Sequence, residues 1–156
     1  LNYEGGVIMR DRFVKLNELT GFDDEFKNAL GELEQRIFES YNRFMPLKES
    51  GRPGTVPGEH PMFTEFKENF GYDQGGRKYL RLVTGAFGEG QTSVWGFIAK
   101  SDFDKVNKLR VGNPTISFKE GDLLKSAGWN TPALNAPRGN IFDDNYKVNW
   151  TGPEYL

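Results

Sequence analysis

Apolar and polar positions alternate with two different periods along the chain. From Asp23 to Arg43 the residues Phe26, Leu30, Leu33, Ile37 and Tyr41, continued by Phe44, recur at spacings of three and four. That spacing draws a single apolar stripe along a 3.6-residue period and predicts an amphipathic helix. Lys27, Glu32, Glu34, Gln35 and Glu39 fall on the opposite, solvated face. Thr20 or Asp23 can cap the start, the acidic turn Asp23-Asp24-Glu25 suits the positive end of the helix dipole, and Pro46 is expected to stop the helix. The heptad-like stripe lasts about three repeats, too short a run to favour a coiled coil over core packing.

Further along, the period shortens to two. Tyr79 to Thr84 and Val94 to Ala99 are β-branched and aromatic runs joined by Gly85-Ala86-Phe87-Gly88-Glu89-Gly90, the pattern of a hairpin. A second hairpin is expected between Thr115-Ile116-Ser117-Phe118 and Leu123-Leu124-Lys125, and a short helix in the stretch 100–114 between the two pairs. Phe63 to Phe70 reads as a strand or a helical turn, and the Pro/Gly-rich segment 46–61 as a long connecting loop. Helix first and strands afterwards define an α+β class: a small antiparallel sheet of three to four strands packed against one long N-terminal amphipathic helix.

Length narrows this to one domain, residues 9 to 156, because 156 residues support one hydrophobic core. The 13 Phe residues supply large surfaces to bury despite a mean hydropathy of −0.63. The chain has no cysteine, so disulfides, thiolate metal sites and cysteine nucleophiles are excluded. No apolar run approaches membrane-spanning length, so a soluble protein with no membrane partner is expected.

Candidate catalytic chemistry is sparse. The glycines of 85–90 lack the spacing of a phosphate loop and lead into a strand, which marks them as turn residues. His60 is the only histidine and sits at the end of a loop. The pairs Asp23-Asp24 and Asp143-Asp144 read as capping charge and a polar turn. No catalytic residue, metal site or cofactor is assigned.

Charge distribution carries more information. The net charge is −2, yet residues 1 to 70 hold 9 basic and 13 acidic side chains, whereas residues 71 to 142 hold 10 basic and 6 acidic. If Tyr79, Arg81, Trp95 and Phe97 share an exposed sheet face, they form an aromatic platform with interleaved cations that could stack bases and contact phosphates. The same rings would alternatively fill a core against the helix or a later segment. The candidate nucleic-acid-binding set is Lys78, Tyr79, Arg81, Trp95, Phe97, Lys125, Trp129, Arg138 and Asn140.

The segment from Gly121 to Asp144, GDLLKSAGWNTPALNAPRGNIFDD, is irregular chain anchored by Trp129, stiffened by Pro132 and Pro137 and released at Gly139. Such chain wraps a sheet edge or forms a binding surface. The pattern of Gly76, Lys78, Tyr79, Arg81 and Val83, then Ser93, Val94 and Phe97, then Gly121, Asp122, Lys125, Trp129, Pro132, Ala133, Arg138, Gly139, Asn140 and Ile141 resembles uncharacterised small proteins of bacteriophages and prophages. The resemblance covers the second half of the chain and implies origin rather than mechanism. Two departures stand out: the stretch from Phe97 to Gly121 is unusually long, and Leu134 and Asn135 stand where that group commonly has a basic pair.

A phage gene also suits the opening residues. Glu4-Gly5-Gly6 can be encoded by GAA-GGA-GGN, a ribosome-binding purine run, with Val7-Ile8 as spacer before Met9. Leu1 to Ile8 are accordingly expected to be untranslated leader, or else a flexible tail. The sequence thus points to a non-catalytic binding protein of the host cytoplasm or the virion, with nucleic acid as the first partner to test. The competing class is a protein-interaction factor that meets a host or virion protein through the helix or the 46–61 loop.

Overall fold

The structure is a computed structural model that describes residues 13–48 and 60–154. The expected leader and most of the 46–61 loop therefore lie outside the described residues. The chain forms β1 (Phe13–Val14), a 3₁₀ turn (Leu16–Glu18), helix α1 (Asp24–Lys48), helix α2 (Pro61–Glu68), and strands β2 (Gly71–Asp73), β3 (Tyr79–Thr84) and β4 (Ser93–Ala99). It continues through β5 (Phe103–Val106), β6 (Thr115–Phe118), β7 (Leu123–Leu124), β8 (Val148–Asn149) and β9 (Gly152–Pro153).

The α+β class is as expected, with a larger sheet. Five antiparallel strands run in the order β1-β2-β3-β4-β7, and β5-β6 and β8-β9 form separate two-stranded pairs. Asp23 supplies the helix cap, its Oδ1 accepting the Phe26 N–H at 2.8 Å. α1 extends to Lys48, so Pro46 lies within its last turn instead of ending it. Residues 61–68 are helical, started by Pro61 and by His60, whose Nδ1 accepts the Met62 N–H at 3.1 Å.

The apolar stripe of α1 meets one face of the sheet. Leu30, Leu33 and Ile37 are fully buried there with Tyr72, Leu80, Leu82, Ile98 and Leu123. The second face is covered as well: Phe97 and Leu124 pack with Phe118 of the β5-β6 hairpin, flanked by Tyr79, Phe103, Ile116 and Leu134. Phe103 and Phe118 stack across the hairpin at 4.8 Å.

One expected pairing is corrected. Thr115–Phe118 pairs with Phe103–Val106, whereas Leu123–Leu124 joins β4. The turn 119–122 is therefore a corner between sheets, not a hairpin tip. The stretch expected to hold a helix between the strand pairs supplies β5 instead, because Phe103 finds a partner in Phe118 that no local pattern reveals.

β3 and β4 form the expected hairpin, with an irregularity that redirects the aromatic side chains. Leu82 pairs with Gly96 but Val83 pairs with Val94, so Trp95 is an extra residue on β4. This bulge turns Trp95 into the α1 side of the core while Phe97 points to the other side. The Trp95 indole N–H reaches the carbonyl of Asn149 at 2.9 Å.

Glu34, read from the sequence as solvated, is half-buried and accepts a hydrogen bond from the Tyr72 hydroxyl. Burial raises the Glu34 carboxyl above its ordinary range, against the lowering effects of the Tyr72 bond and of Lys15. Burial, with the Glu34 charge adding to it, pushes the Tyr72 phenol well up. A carboxyl that holds its proton more tightly in the folded chain contributes stability that is full below the unfolded pKa, about 4.3, and is lost as pH rises through the folded value. Glu34→Gln should therefore remove a fall in stability over the window that opens above about pH 4. Urea unfolding of the two proteins across that window checks this; parallel pH profiles would refute it.

Candidate nucleic-acid interface

The expected aromatic platform is not present as an open surface. Trp95 and Phe97 are each 2% exposed and lie on opposite faces of the sheet. Neither ring can stack on a base without unpacking the core. Tyr79 is half-buried, edge-on to Phe97 at 6.1 Å and to Phe103 at 5.8 Å, and burial raises its phenol pKa. Lys78 is exposed, with its ammonium 4.4 Å from the centre of the Phe103 ring.

Arg81 sits in the interior of the second face. Its side chain is 12% exposed and pairs at 2.5 Å with Asp73, which is 2% exposed. Its other terminal nitrogen donates to Asn130 Oδ1 at 2.7 Å. The guanidinium carbon lies 5.8 Å from the Phe97 ring centre and 5.4 Å from that of Trp129. Arg81 thus joins the strands β2 and β3 to the irregular tail and has little surface to offer a phosphate.

The remaining predicted residues hold that tail in place. Lys125 Nζ donates to the Pro153 carbonyl at 2.8 Å; burial lowers its pKa and the nearby Arg138 lowers it further. Arg138 directs Nε to Ala136 O at 3.2 Å, one terminal nitrogen to Glu154 O at 3.3 Å and the other to Asn135 Oδ1 at 3.0 Å. Asn140 donates to Glu120 O and Asp122 Oδ1, both at 2.9 Å, and accepts the Phe142 N–H at 2.8 Å.

Backbone bonds complete the attachment. Leu123 N–H donates to Gly139 O and Arg138 N–H to Leu123 O, each at 2.8 Å, so the tail closes the free edge of β7. Gly139 has φ 133°, and a Cβ there would come within 2.7 Å of Tyr146 Cβ. The block of residues that carries the resemblance is, in this structure, largely the machinery that lays the tail along the sheet.

The exposed cations lie elsewhere. The β5-β6 hairpin stands over the second face, and between its outer end and the segment 133–138 runs an open cleft of about 490 Å³. Lys105, Lys108 and Arg138 line it together with Val106, Asn107, Leu109, Ala133, Leu134 and Asn135, with no carboxylate among them. The β5-β6 hairpin forms one wall, and Leu134 and Asn135 belong to the opposite one. A smaller depression of about 320 Å³ lies beside Arg77, Lys78 and Arg81, but Asp73 is part of its wall.

The sequence reading missed Lys105 and Lys108 as a site because it placed them on a short helix. The one available signal was the Gly112-Asn113-Pro114 turn sequence immediately before Thr115 to Phe118. Among the described residues, no group of three or more His, Cys, Asp or Glu is placed to hold a metal ion, and no helix is long and apolar enough to cross a membrane. No family model, curated protein or solved structure matches the chain.

The buried Asp73–Arg81 pair should be structural. Asp73→Ala leaves a mostly buried guanidinium without its carboxylate and should destabilise the fold by about 3 to 5 kcal/mol. The double variant Asp73→Ala/Arg81→Met should recover much of that loss in chemical denaturation. Equal stability of Asp73→Ala and the parent protein would contradict the assignment.

Proposed function

We propose that this chain is a small phage-encoded, non-catalytic binding protein, acting in the host cytoplasm or carried in the virion, that binds nucleic acid through the cleft between the β5-β6 hairpin and the 133–138 segment. The observation that carries this reading is the convergence of Lys105, Lys108 and Arg138 on one open cleft whose lining holds no carboxylate. Such a surface attracts a polyanion locally even though the whole chain carries a net charge of −2. Val106 and Leu134 give the same cleft an apolar floor against which a sugar or base can rest.

This differs from a platform on the open sheet in which residues make contact. Lys105 and Lys108 replace Arg81, Trp95 and Phe97 as the contact residues, while Arg138 keeps a part through its charge. The competing reading, a host or virion protein held by α1, is weakened because the apolar stripe of α1 is covered by the sheet. Its other route, the 46–61 loop, falls mainly outside the described residues.

Binding of fluorescein-labelled single- and double-stranded oligonucleotides over a salt series tests the proposal. Affinity should fall with salt at a log–log slope of about −0.9 per phosphate neutralised on duplex. Lys105→Ala/Lys108→Ala should weaken binding to all sequences alike and reduce that slope by about two. No retention on either form of nucleic acid at low salt overturns the reading, as does a double variant that binds like the parent protein.

A further inference from the structure

From the outer rim of the cleft, where Leu109 stands, the tip of the β5-β6 hairpin presents Leu109 and Val111 almost free of contact, at 97% and 102% exposure. They alternate with the exposed cations Lys108 and Arg110, and no carboxylate occurs from Lys105 to Phe118. The presentation is built by hydrogen bonds. Asn107 N–H donates to Pro114 O at 2.8 Å, closing the loop at its base. Leu109 N–H donates to Asn107 Oδ1 at 3.1 Å, and Asn113 N–H to Arg110 O at 3.0 Å. Gly112 and Asn113 both take positive φ, 82° and 47°, which turns the chain back sharply after Val111.

We infer that this tip is a wedge for duplex DNA: Lys108 and Arg110 seat on the two phosphate strands while Leu109 and Val111 enter between base pairs and unstack a step. The inference rests on the proposed nucleic-acid reading and specifies a duplex as the ligand. Minor-groove proteins frequently insert apolar wedges between base steps while nearby Arg and Lys engage the groove. A partner surface matching this tip must be apolar at its centre and polyanionic at its rim. Stacked bases between two phosphodiester strands have that arrangement, and the cleft behind the tip, with Lys105 and Arg138, lies where the backbone would continue. An anionic lipid surface shares the charge, but one Leu and one Val bury too little for stable anchoring.

The test uses a duplex carrying 2-aminopurine beside a central TA step, titrated with the full chain at low salt, with anionic phosphatidylserine vesicles as the second probe. The parent protein should raise 2-aminopurine fluorescence on saturation. Leu109→Ala/Val111→Ala should still bind with an unchanged salt slope but lose the fluorescence rise, and circular dichroism should show the fold intact because both side chains are free of the core. Saturable duplex binding without a fluorescence rise, or an undiminished rise with the double variant, overturns the wedge and leaves the cleft reading standing. Vesicle binding tighter than duplex binding overturns the wedge in favour of a lipid surface. Absence of any nucleic-acid binding removes both readings together.

Discussion

One constraint governs this fold: the five-stranded sheet is apolar on both faces, and a single helix can cover only one of them. α1 buries Leu80, Leu82 and Ile98 on its side with Leu30, Leu33 and Ile37. On the other side Phe97 and Leu124 would face water, and an exposed patch of that kind favours association. The chain meets this by folding β5-β6 over the second face through Phe103, Ile116 and Phe118, and by bringing Leu134 in from the tail. The hairpin is therefore a lid on the core at its base and a free projection at its end. Its end is exposed while its base is fixed in the core.

The bulge at Trp95 connects the two sides. Without the additional residue Trp95 would follow Phe97 to the hairpin side; with it, the indole enters the α1 core and donates to Asn149 at the start of the β8-β9 turn. Trp150, in that turn, packs on Tyr41 at 5.1 Å and Phe44 at 5.2 Å, and its backbone N–H donates to Ser40 Oγ at 3.0 Å. Arg36 holds the approach to this turn, donating to Tyr146 O at 2.8 Å and Asp144 O at 2.9 Å. The tail thus runs from the edge of β7 to the flank of α1, linking both layers.

What the sequence reveals follows from how local each determinant is. The α1 stripe, the Asp23 cap and the β3-β4 pair depend on neighbours within a turn or a short loop, and each is readable from spacing. The faces of β4 are not, because one additional residue reverses the alternation from Val94 to Phe97, and only the register with Leu82 and Val83 exposes it. Likewise Thr115–Phe118 lies close in sequence to Leu123–Leu124 yet pairs with Phe103–Val106, a choice set by the Phe103–Phe118 stack. Pro46 does not mark the helix end, since α1 continues to Lys48.

Residue chemistry misleads in a related way at the candidate site. Arginine, tryptophan and asparagine in an irregular segment suggest ligand contacts, but a buried tail without regular strands must satisfy its carbonyls and amides with side chains. Arg138 directs three nitrogens to Ala136, Glu154 and Asn135, and Asn140 uses both its amide nitrogen and its oxygen within the chain. A guanidinium so engaged still projects its positive field, but it cannot turn to grip a phosphate with both arms. Lys105 and Lys108 line the same cleft from the exposed hairpin, where their flexible ammonium groups are freer to move than the engaged Arg138 guanidinium. In this arrangement the positions with the most distinctive chemistry build the support, and under the proposed reading the contacts fall to ordinary lysines on the hairpin.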